Sequence, residues 1–112
     1  GRLDHLLANV ALLASDGLAG VAVRWLAGND LVIPVRDEVT VEARARALVS
    51  LIPIGGPARG VSTSGLRWEL DDEDLDPTSS RTVSNQFLGN RATVAVRDGV
   101  VVVIIPDAIA GT

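Results

Sequence analysis

The chain has 112 residues, of which 47% are hydrophobic and 21% are charged, a composition that excludes a disordered chain and fits one globular domain. Its net charge at pH 7 is −4, but five carboxylates lie within residues 71–76, so the rest of the chain is nearly neutral. The sequence has no basic stripe, and its aromatic residues are two Trp and one Phe, so its composition argues against nucleic-acid binding.

Cysteines and long apolar segments are both missing from the sequence. Without cysteine, neither disulfides nor thiolate metal sites can form. The longest apolar run, at 100–105, has the length of a strand, and no charged-then-apolar leader opens the chain. We therefore expect a soluble cytoplasmic protein that does not bind membranes.

The first predicted element is a helix over residues 1–15, followed by a stop signal at Asp16-Gly17. Gly1 already lies within this pattern, so we expect the chain to be part of a longer protein. The apolar residues that recur at helical spacing are Leu3, Leu6, Leu7, Val10 and Leu13.

Strand patterns begin after Gly20. Residues 21–27 and 30–35 flank Gly28-Asn29, which is a two-residue hairpin signal. Residues 38–43 alternate apolar and polar side chains, as in a half-buried antiparallel strand. Residues 46–54 are apolar on both faces, which indicates a central strand.

The second half of the chain is predicted to contain four further strands. Gly55-Gly56-Pro57 is expected to turn the chain, 71–80 to form an acidic loop, and Asp98-Gly99 to close a hairpin. Seven or eight strands with turns every eight to twelve residues predict a mainly β fold, an antiparallel β-sandwich preceded by one N-terminal helix. The four strands are 60–70, 81–87, 92–97 and 100–105.

Two segments have compositions that bind ions in other proteins, but their spacing is wrong. An EF-hand calcium loop beginning at Asp71 would need Gly in place of Asp76 and Glu in place of Thr82. The glycine-rich stretch 55–60 lacks the Lys and Ser/Thr of a phosphate loop and no helix is predicted after it. A solvated loop and a tight turn are therefore favoured, and no metal site is predicted.

Polar residues near the amino terminus have no clear role from the sequence pattern alone. His5 is the only histidine, so it cannot build a metal site, and no serine is identified as its partner in a catalytic triad. On the predicted helix it shares a face with Asn9, while Asp4 lies in the first turn, where the helix dipole favours a carboxylate.

Trp68 and the pair Ser84-Asn85 each allow two interpretations. Trp68 shares a strand face with Leu66 and Leu70, which favours a core position, but an exposed binding position stays open. Ser84 and Asn85 interrupt a strand pattern with groups that donate and accept hydrogen bonds, as a turn, a bulge or a binding site would require.

Several segments together resemble the carboxy-terminal, thiamine-binding region of the thiamine pyrophosphokinase family. The start of the chain is also similar to the Gly-Arg-x-Asp-His/Gln helix start that closes the catalytic α/β domain of that family. The matching segments are the serine-led strand 50–54, the stretch GVSTSGLRWEL at 60–70, the pair Ser84-Asn85 and the start GRLDHLLAN at 1–9.

The resemblance implies an enzyme that transfers pyrophosphate from ATP to the hydroxyl of thiamine and releases AMP, with Mg²⁺ neutralising the phosphates. In the family, the ATP and metal sites lie in the α/β domain ahead of this segment. We therefore expect ATP and Mg²⁺ to bind to the parent enzyme, and the chain alone to bind neither and to be inactive. The resemblance also implies a homodimer with thiamine between the sandwich of one subunit and the α/β domain of its partner.

The resemblance also suggests site residues. Trp68 would supply an aromatic face, and Ser84 and Asn85 would hydrogen-bond the aminopyrimidine or the hydroxyethyl group. Asp4 would be the catalytic residue, orienting the attacking hydroxyl or offsetting the thiazolium charge. The remaining candidates are Arg2, which would bind phosphate oxygens, and His5, which is placed with the substrate-binding residues.

The resemblance predicts two domains: residues 1–28 as the carboxy-terminal remnant of the α/β domain, and residues 29–112 as the thiamine-binding β-sandwich. It also suggests that Gly65 is small so that the ligand or a partner backbone can approach. Two alternatives stay open: a non-catalytic ligand-binding or assembly module, and a purely structural dimerisation domain.

Overall fold

The computed structural model describes residues 24–108 and four separate residues near the amino terminus, namely Asp4, Ala8, Asn9 and Leu12. These four have helical backbone, but they do not delimit a helix, so the helix over 1–15 stays a prediction. Within the described residues, no helix is long and apolar enough to cross a membrane.

Eight strands make up the described fold, and every pairing between them is antiparallel. The mainly β, antiparallel class is therefore confirmed. The strands are β1 Trp25–Ala27, β2 Asp30–Val35, β3 Glu38–Glu42, β4 Leu48–Ser64, β5 Glu73–Leu75, β6 Asn85–Gln86, β7 Arg91–Ala95 and β8 Asp98–Ile105.

One long strand, β4, connects the whole sheet. The strand order is β1-β2-β8-β4-β7-β3, and β5 and β6 also pair with β4. The first part of β4 pairs with β8 from Ser50 to Ile54, whereas its end, Ser62–Ser64, pairs with β7. Because β4 pairs with both β8 and β7, the strands form one connected sheet. The two separate sheets of a sandwich are not seen in the described residues.

The glycine-rich stretch 55–60 bends β4 and does not turn the chain back. The predicted turn at Gly55-Gly56-Pro57 is therefore wrong. The pairing of β4 with β8 shifts here, because four residues of β4, 55–58, lie opposite the single residue Gly99. This large bulge re-aims the strand from one half of the sheet to the other.

The core lies inside this curved sheet and is built almost entirely from aliphatic side chains. Alternate residues of β2, β4, β7 and β8 point inward, as the two-residue period of a strand requires. Phe87 is the one aromatic residue in this cluster, and Val32 and Val102 form a second small cluster on the opposite face. The fully buried residues of the core include Val41, Val49, Leu51, Val61, Leu66, Phe87, Val94, Val101, Val103 and Ile105.

The two predicted hairpins have different outcomes. Gly28-Asn29 connects β1 to β2, which pair from Ala27 and Asp30, so this hairpin is confirmed. The hairpin predicted at Asp98-Gly99 is wrong, because β7 pairs with β3 and β4 while β8 pairs with β2 and β4. The two residues instead begin β8, and the chain crosses there between the halves of the sheet.

The stretch 60–70 is a strand only as far as Ser64. Thr63 and Leu70 then close a loop, because each backbone N–H donates to the other residue: Thr63 N–H to the Leu70 carbonyl at 3.0 Å and Leu70 N–H to Thr63 Oγ1 at 2.9 Å. The Ser62 hydroxyl accepts from the Asp72 N–H at 2.9 Å, and the Ser64 and Thr93 hydroxyls bond to each other. The hydroxyls of this stretch therefore hold the fold together.

Gly65 marks the point where the chain leaves the sheet, and its small size is needed by the chain itself. It has a φ of +84°, and a Cβ there would overlap the Arg91 carbonyl oxygen and lie 3.0 Å from Ala92 Cα. In the described chain the backbone that approaches Gly65 is that of β7, and the sequence expectation of a ligand or partner backbone is not needed to explain this glycine.

Replacing Gly65 by Ala should therefore destabilise the fold by about 2–4 kcal/mol, because strain from the positive φ adds to the clash with β7. Gly28→Ala is the matched control, because Gly28 also has a positive φ, +66°, but a Cβ added there would have no atom within 4 Å. It should lose only about 1 kcal/mol. Urea unfolding of the two variants measures the difference, and equal losses would contradict the close approach.

Candidate functional site

A surface pocket of about 220 Å³ lies between the segment that follows Gly65 and the turn before β6. It combines an aromatic side chain, two carboxylates, a guanidinium and an amide with apolar surface. This mixture is typical of sites for small polar ligands. The lining residues are Trp68, Glu69, Leu70, Glu73, Arg81, Thr82, Val83 and Asn85.

Trp68 is exposed over 56% of its surface and does not belong to the core. The core interpretation of this residue is therefore wrong. The strand pattern that placed it beside Leu66 and Leu70 fails because β4 ends at Ser64 and the following residues form a loop. The Arg67 guanidinium lies 4.7 Å from the centroid of the Trp68 ring, a cation–π arrangement that covers part of the indole.

Asn85 fixes the backbone of Trp68. Its Oδ1 accepts the Trp68 N–H at 3.1 Å and the Gln86 N–H at 2.8 Å, while its Nδ2 donates to the Trp68 carbonyl at 2.7 Å. The side chain is 5% exposed. Because both acceptor positions of Oδ1 are in use, only an N–H of Nδ2 is left to offer to a ligand.

Ser84 is exposed, in contrast to its neighbour, and does not line the pocket. Its backbone N–H donates to Ser50 Oγ at 3.0 Å, and its φ is +63°, an uncommon conformation for a residue other than glycine. The turn interpretation of the Ser-Asn pair is supported, because residues 81–84 form a turn and only Asn85–Gln86 form a strand.

Two carboxylates line the pocket, and they differ in their contacts with the rest of the protein. Glu73 Oε1 lies 2.7 Å from Arg81 Nη2, and Glu73 Oε2 accepts the Asp71 N–H at 3.3 Å. The Arg81 guanidinium and the Asp71 N–H lower the pKa of Glu73 below its usual range, so it is ionised at neutral pH. Glu69 is exposed and has no ion-pair partner among the described residues.

The acidic segment that begins at Asp71 is attached to the body of the domain. Asp72 pairs with Arg97 at 2.9 Å, and Asp74 pairs with Arg59 at 3.3 Å and accepts the Gly60 N–H at 3.1 Å. Glu73–Leu75 even form the short strand β5 against β4. In the part of the chain that is described, no cluster of three or more possible metal ligands occurs, in the acidic segment or elsewhere.

Several predicted site residues lie outside the pocket as described. Arg2 and His5 fall outside the described residues, and Asp4 is exposed, so the roles assigned to these three stay predictions. Glu69 and Arg81 were not recognised from the sequence. Glu69 directly follows Trp68, so an exposed Trp68 would have pointed to it, but Arg81 is recognised only through its contact with Glu73.

A second, larger cavity of about 510 Å³ lies between the β3–β4 connection and the turn after β8. Its charged residues are Glu42, Arg44, Arg46 and Asp107, and alanines form much of its wall. No aromatic side chain lines it, and none of the residues singled out from the sequence does so.

Comparisons with known proteins match the chain to one family. A family model described as the thiamin pyrophosphokinase vitamin B1 binding domain matches residues 34–101, a range that contains the whole Trp68–Asn85 pocket. A comparison with curated proteins gave no match.

Solved structures with the same fold include thiamine pyrophosphokinases from bacteria and yeast. The enzyme from Bacillus subtilis superposes with a TM-score of 0.81 at 21% identity, over 94% of this chain and 50% of that one. The Geobacillus thermodenitrificans enzyme superposes with a TM-score of 0.78 at 24% identity, over 94% of this chain and 49% of that one. The yeast enzyme superposes with a TM-score of 0.73 at 20% identity, over 94% of this chain and 37% of that one. At these identities the likeness shows the fold, and the chain spans half or less of the length of these proteins.

The matched range covers more than half of the chain. It includes all the strands that pair with β4, except the last residues of β8. The resemblance of the sequence to the thiamine-binding region of this family is therefore confirmed. The chain belongs to the thiamin pyrophosphokinase vitamin B1 binding domain family.

Proposed function

We propose that this chain is the thiamine-binding portion of a thiamine pyrophosphokinase, an enzyme that transfers pyrophosphate from ATP to the hydroxyl of thiamine and releases AMP. The observation that carries the proposal is an exposed tryptophan, Trp68, at the edge of a pocket within the range that the family model matches. An exposed indole beside a pocket offers a ligand a large flat face for stacking, and tryptophan is enriched at binding surfaces.

The chemistry of the pocket suits the two rings of thiamine. The aminopyrimidine is flat and carries hydrogen-bonding nitrogens, which an indole face and the free N–H of Asn85 Nδ2 complement. The thiazolium carries a positive charge, and two carboxylates, Glu69 and Glu73, line the same pocket. Leu70 and Val83 supply apolar surface beside them.

The size of the pocket leaves room for a second surface in the site, which the family resemblance assigns to a homodimer. Sites that enclose a small organic molecule usually measure about 300–1,000 Å³, whereas this pocket has about 220 Å³. Such a volume accommodates part of thiamine and leaves the rest to another surface. We assign that surface to the α/β domain of a partner subunit.

The site residues have unequal support under this proposal. Trp68 supplies the aromatic face, and Asn85 holds it in place while offering one N–H to the ligand. Ser84 lies outside the pocket wall, so a contact to thiamine would form only at the rim. Asp4 is proposed to orient the hydroxyl, and Arg2 and His5 to contact the substrate.

ATP and Mg²⁺ are proposed to bind to a part of the longer protein outside this chain. No group of three or more possible metal ligands occurs among the described residues, so no metal-binding role is assigned to them. In this proposal residues 1–28 belong to the α/β domain and residues 29–112 to the thiamine-binding domain. The hairpin of β1 and β2 crosses this boundary. The protein is further proposed to work in the cytoplasm.

Trp68→Leu should remove most of the binding of thiamine by the full-length protein, at least about tenfold, because the stacking surface is lost. The intrinsic fluorescence of the unsubstituted protein should change on addition of thiamine, and that of the variant should not. Trp25→Phe is the matched control, since Trp25 is half-buried on β1 and does not line the pocket. A thiamine response that survives in Trp68→Leu and disappears in Trp25→Phe would contradict the site.

Asn85→Ala should lower the free energy of unfolding by about 2–3 kcal/mol, because three hydrogen bonds of a buried amide are lost. It should also weaken thiamine binding, since the Trp68 backbone is released. Ser84→Ala is the control, because the Ser84 hydroxyl makes no described hydrogen bond and should change stability by less than about 0.5 kcal/mol. Urea unfolding and titration calorimetry measure the two effects. An Asn85→Ala variant with unchanged stability would contradict the role of the Asn85 hydrogen bonds in holding the Trp68 backbone.

The activity assay separates an enzyme from a non-catalytic module. The full-length protein should convert thiamine and ATP to thiamine diphosphate and AMP in the presence of Mg²⁺, and the 112-residue chain alone should not. Chromatographic detection of both products provides the measurement. A full-length protein that binds thiamine but forms neither product would replace the enzyme by a ligand-binding module.

A further inference from the structure

The charges of the Trp68 pocket do not balance. Two carboxylates, those of Glu69 and Glu73, line it together with one guanidinium, that of Arg81. Arg81 and Glu73 form a close ion pair at 2.7 Å, so they neutralise each other. Of the three charged side chains that line the pocket, only Glu69 has no ion-pair partner among the described residues.

The indole of Trp68 cannot by itself account for the recognition of a cation here. The guanidinium of Arg67 already lies 4.7 Å from the ring centroid and uses the electron-rich face of the indole. A second cation on the same ring would meet a ring system that is already polarised by the first and would be repelled by it. The ring therefore supplies a stacking surface, and the attraction for a cationic ligand has to come from another side chain.

We propose that Glu69 makes this pocket selective for a cationic ligand, an inference that rests on the proposed function for the identity of that ligand. Glu69 follows Trp68 directly in the chain and lines the same pocket, so a ligand in this pocket has both side chains on its wall. The role of Trp68 is to stack, and the role of Glu69 is to supply the charge. Glu69 occupies an unspecified position of the Gly-Leu-Arg/Lys-aromatic-x-Leu motif, so the family resemblance assigns it no function.

Glu73 cannot take this role, although it is also an ionised carboxylate. Its Oε1 is bound to Arg81 and its Oε2 accepts the Asp71 N–H, so its hydrogen-bonding capacity and its charge are both used within the protein. Removing its partner would change the shape of the pocket wall, because Arg81 also lines the pocket. Glu69, by contrast, can be changed without breaking a described contact.

The test is Glu69→Gln in the full-length protein, with the binding of three aromatic probes measured by titration calorimetry. Thiamine is a cation, thiochrome is its neutral oxidised derivative, and N-methylquinolinium is an unrelated aromatic cation. The variant should bind thiamine and N-methylquinolinium about five- to tenfold more weakly, as expected for a partly solvated charge pair, and thiochrome within about twofold of the unsubstituted protein. Added salt should weaken cation binding in the unsubstituted protein more than in the variant.

Glu38→Gln is the matched control, because Glu38 is an exposed residue of β3 that does not line the pocket, and all three affinities should be unchanged. Equal losses for thiamine and thiochrome, or no loss for either, would overturn the role of Glu69 while leaving thiamine binding in place. If the unsubstituted protein does not bind thiamine but binds N-methylquinolinium more tightly than the Glu69→Gln variant does, the proposed function fails and the charge selectivity stands. If it binds neither cation, both fail.

Discussion

The hydrogen bonds between the Asn85 amide and the backbone of Trp68 are the interaction on which the pocket depends. A tryptophan on an exposed loop has no packing to hold it, and a mobile ring would lose conformational freedom on binding any ligand. Asn85 removes part of that cost in advance, because its side chain binds both the N–H and the carbonyl of Trp68. Its buried position on β6 connects the loop to β4, with which β6 pairs. The aromatic surface is thus pre-organised by the fold.

Asn85 and Trp68 meet because β4 carries the chain from the part of the sheet that contains β8 to the part that contains β7. The bulge at 55–58 re-aims the strand, and Gly65 then releases the chain from the sheet beside β7. Thr63 and Leu70 close the loop that follows, and within it Arg67 N–H donates to the Gln86 carbonyl at 2.9 Å. The glycines and hydroxyls of this stretch, which a regular strand would not need, shape this loop.

The sequence pattern was sufficient for the mainly β, antiparallel class and for the β1–β2 hairpin, because both depend on local periodicity and turn chemistry. It failed where tertiary contacts decide. Asp98-Gly99 has the residues of a tight hairpin, yet β7 and β8 each find other partners across the core. Trp68 continues the alternation of β4, yet the strand has already ended. Asn85 was found as a polar interruption, but its hydrogen bonds to the backbone of Trp68 are visible only in three dimensions.

The composition of the core gives the exposed position of Trp68 its meaning. The fully buried positions are filled by Val, Leu, Ile and one Phe, and no buried polar side-chain atom in the described part of the chain lacks a hydrogen-bond partner. The fold therefore closes without using Trp68 at all. A large ring that lies outside the core, is more than half exposed and has its backbone held by a buried amide fits the proposed contact with a ligand. Under the proposal for Glu69, this outside contact is made with a positively charged ligand, because a cation gains charge attraction in addition to the hydrogen bonds that a carboxylate accepts from any donor.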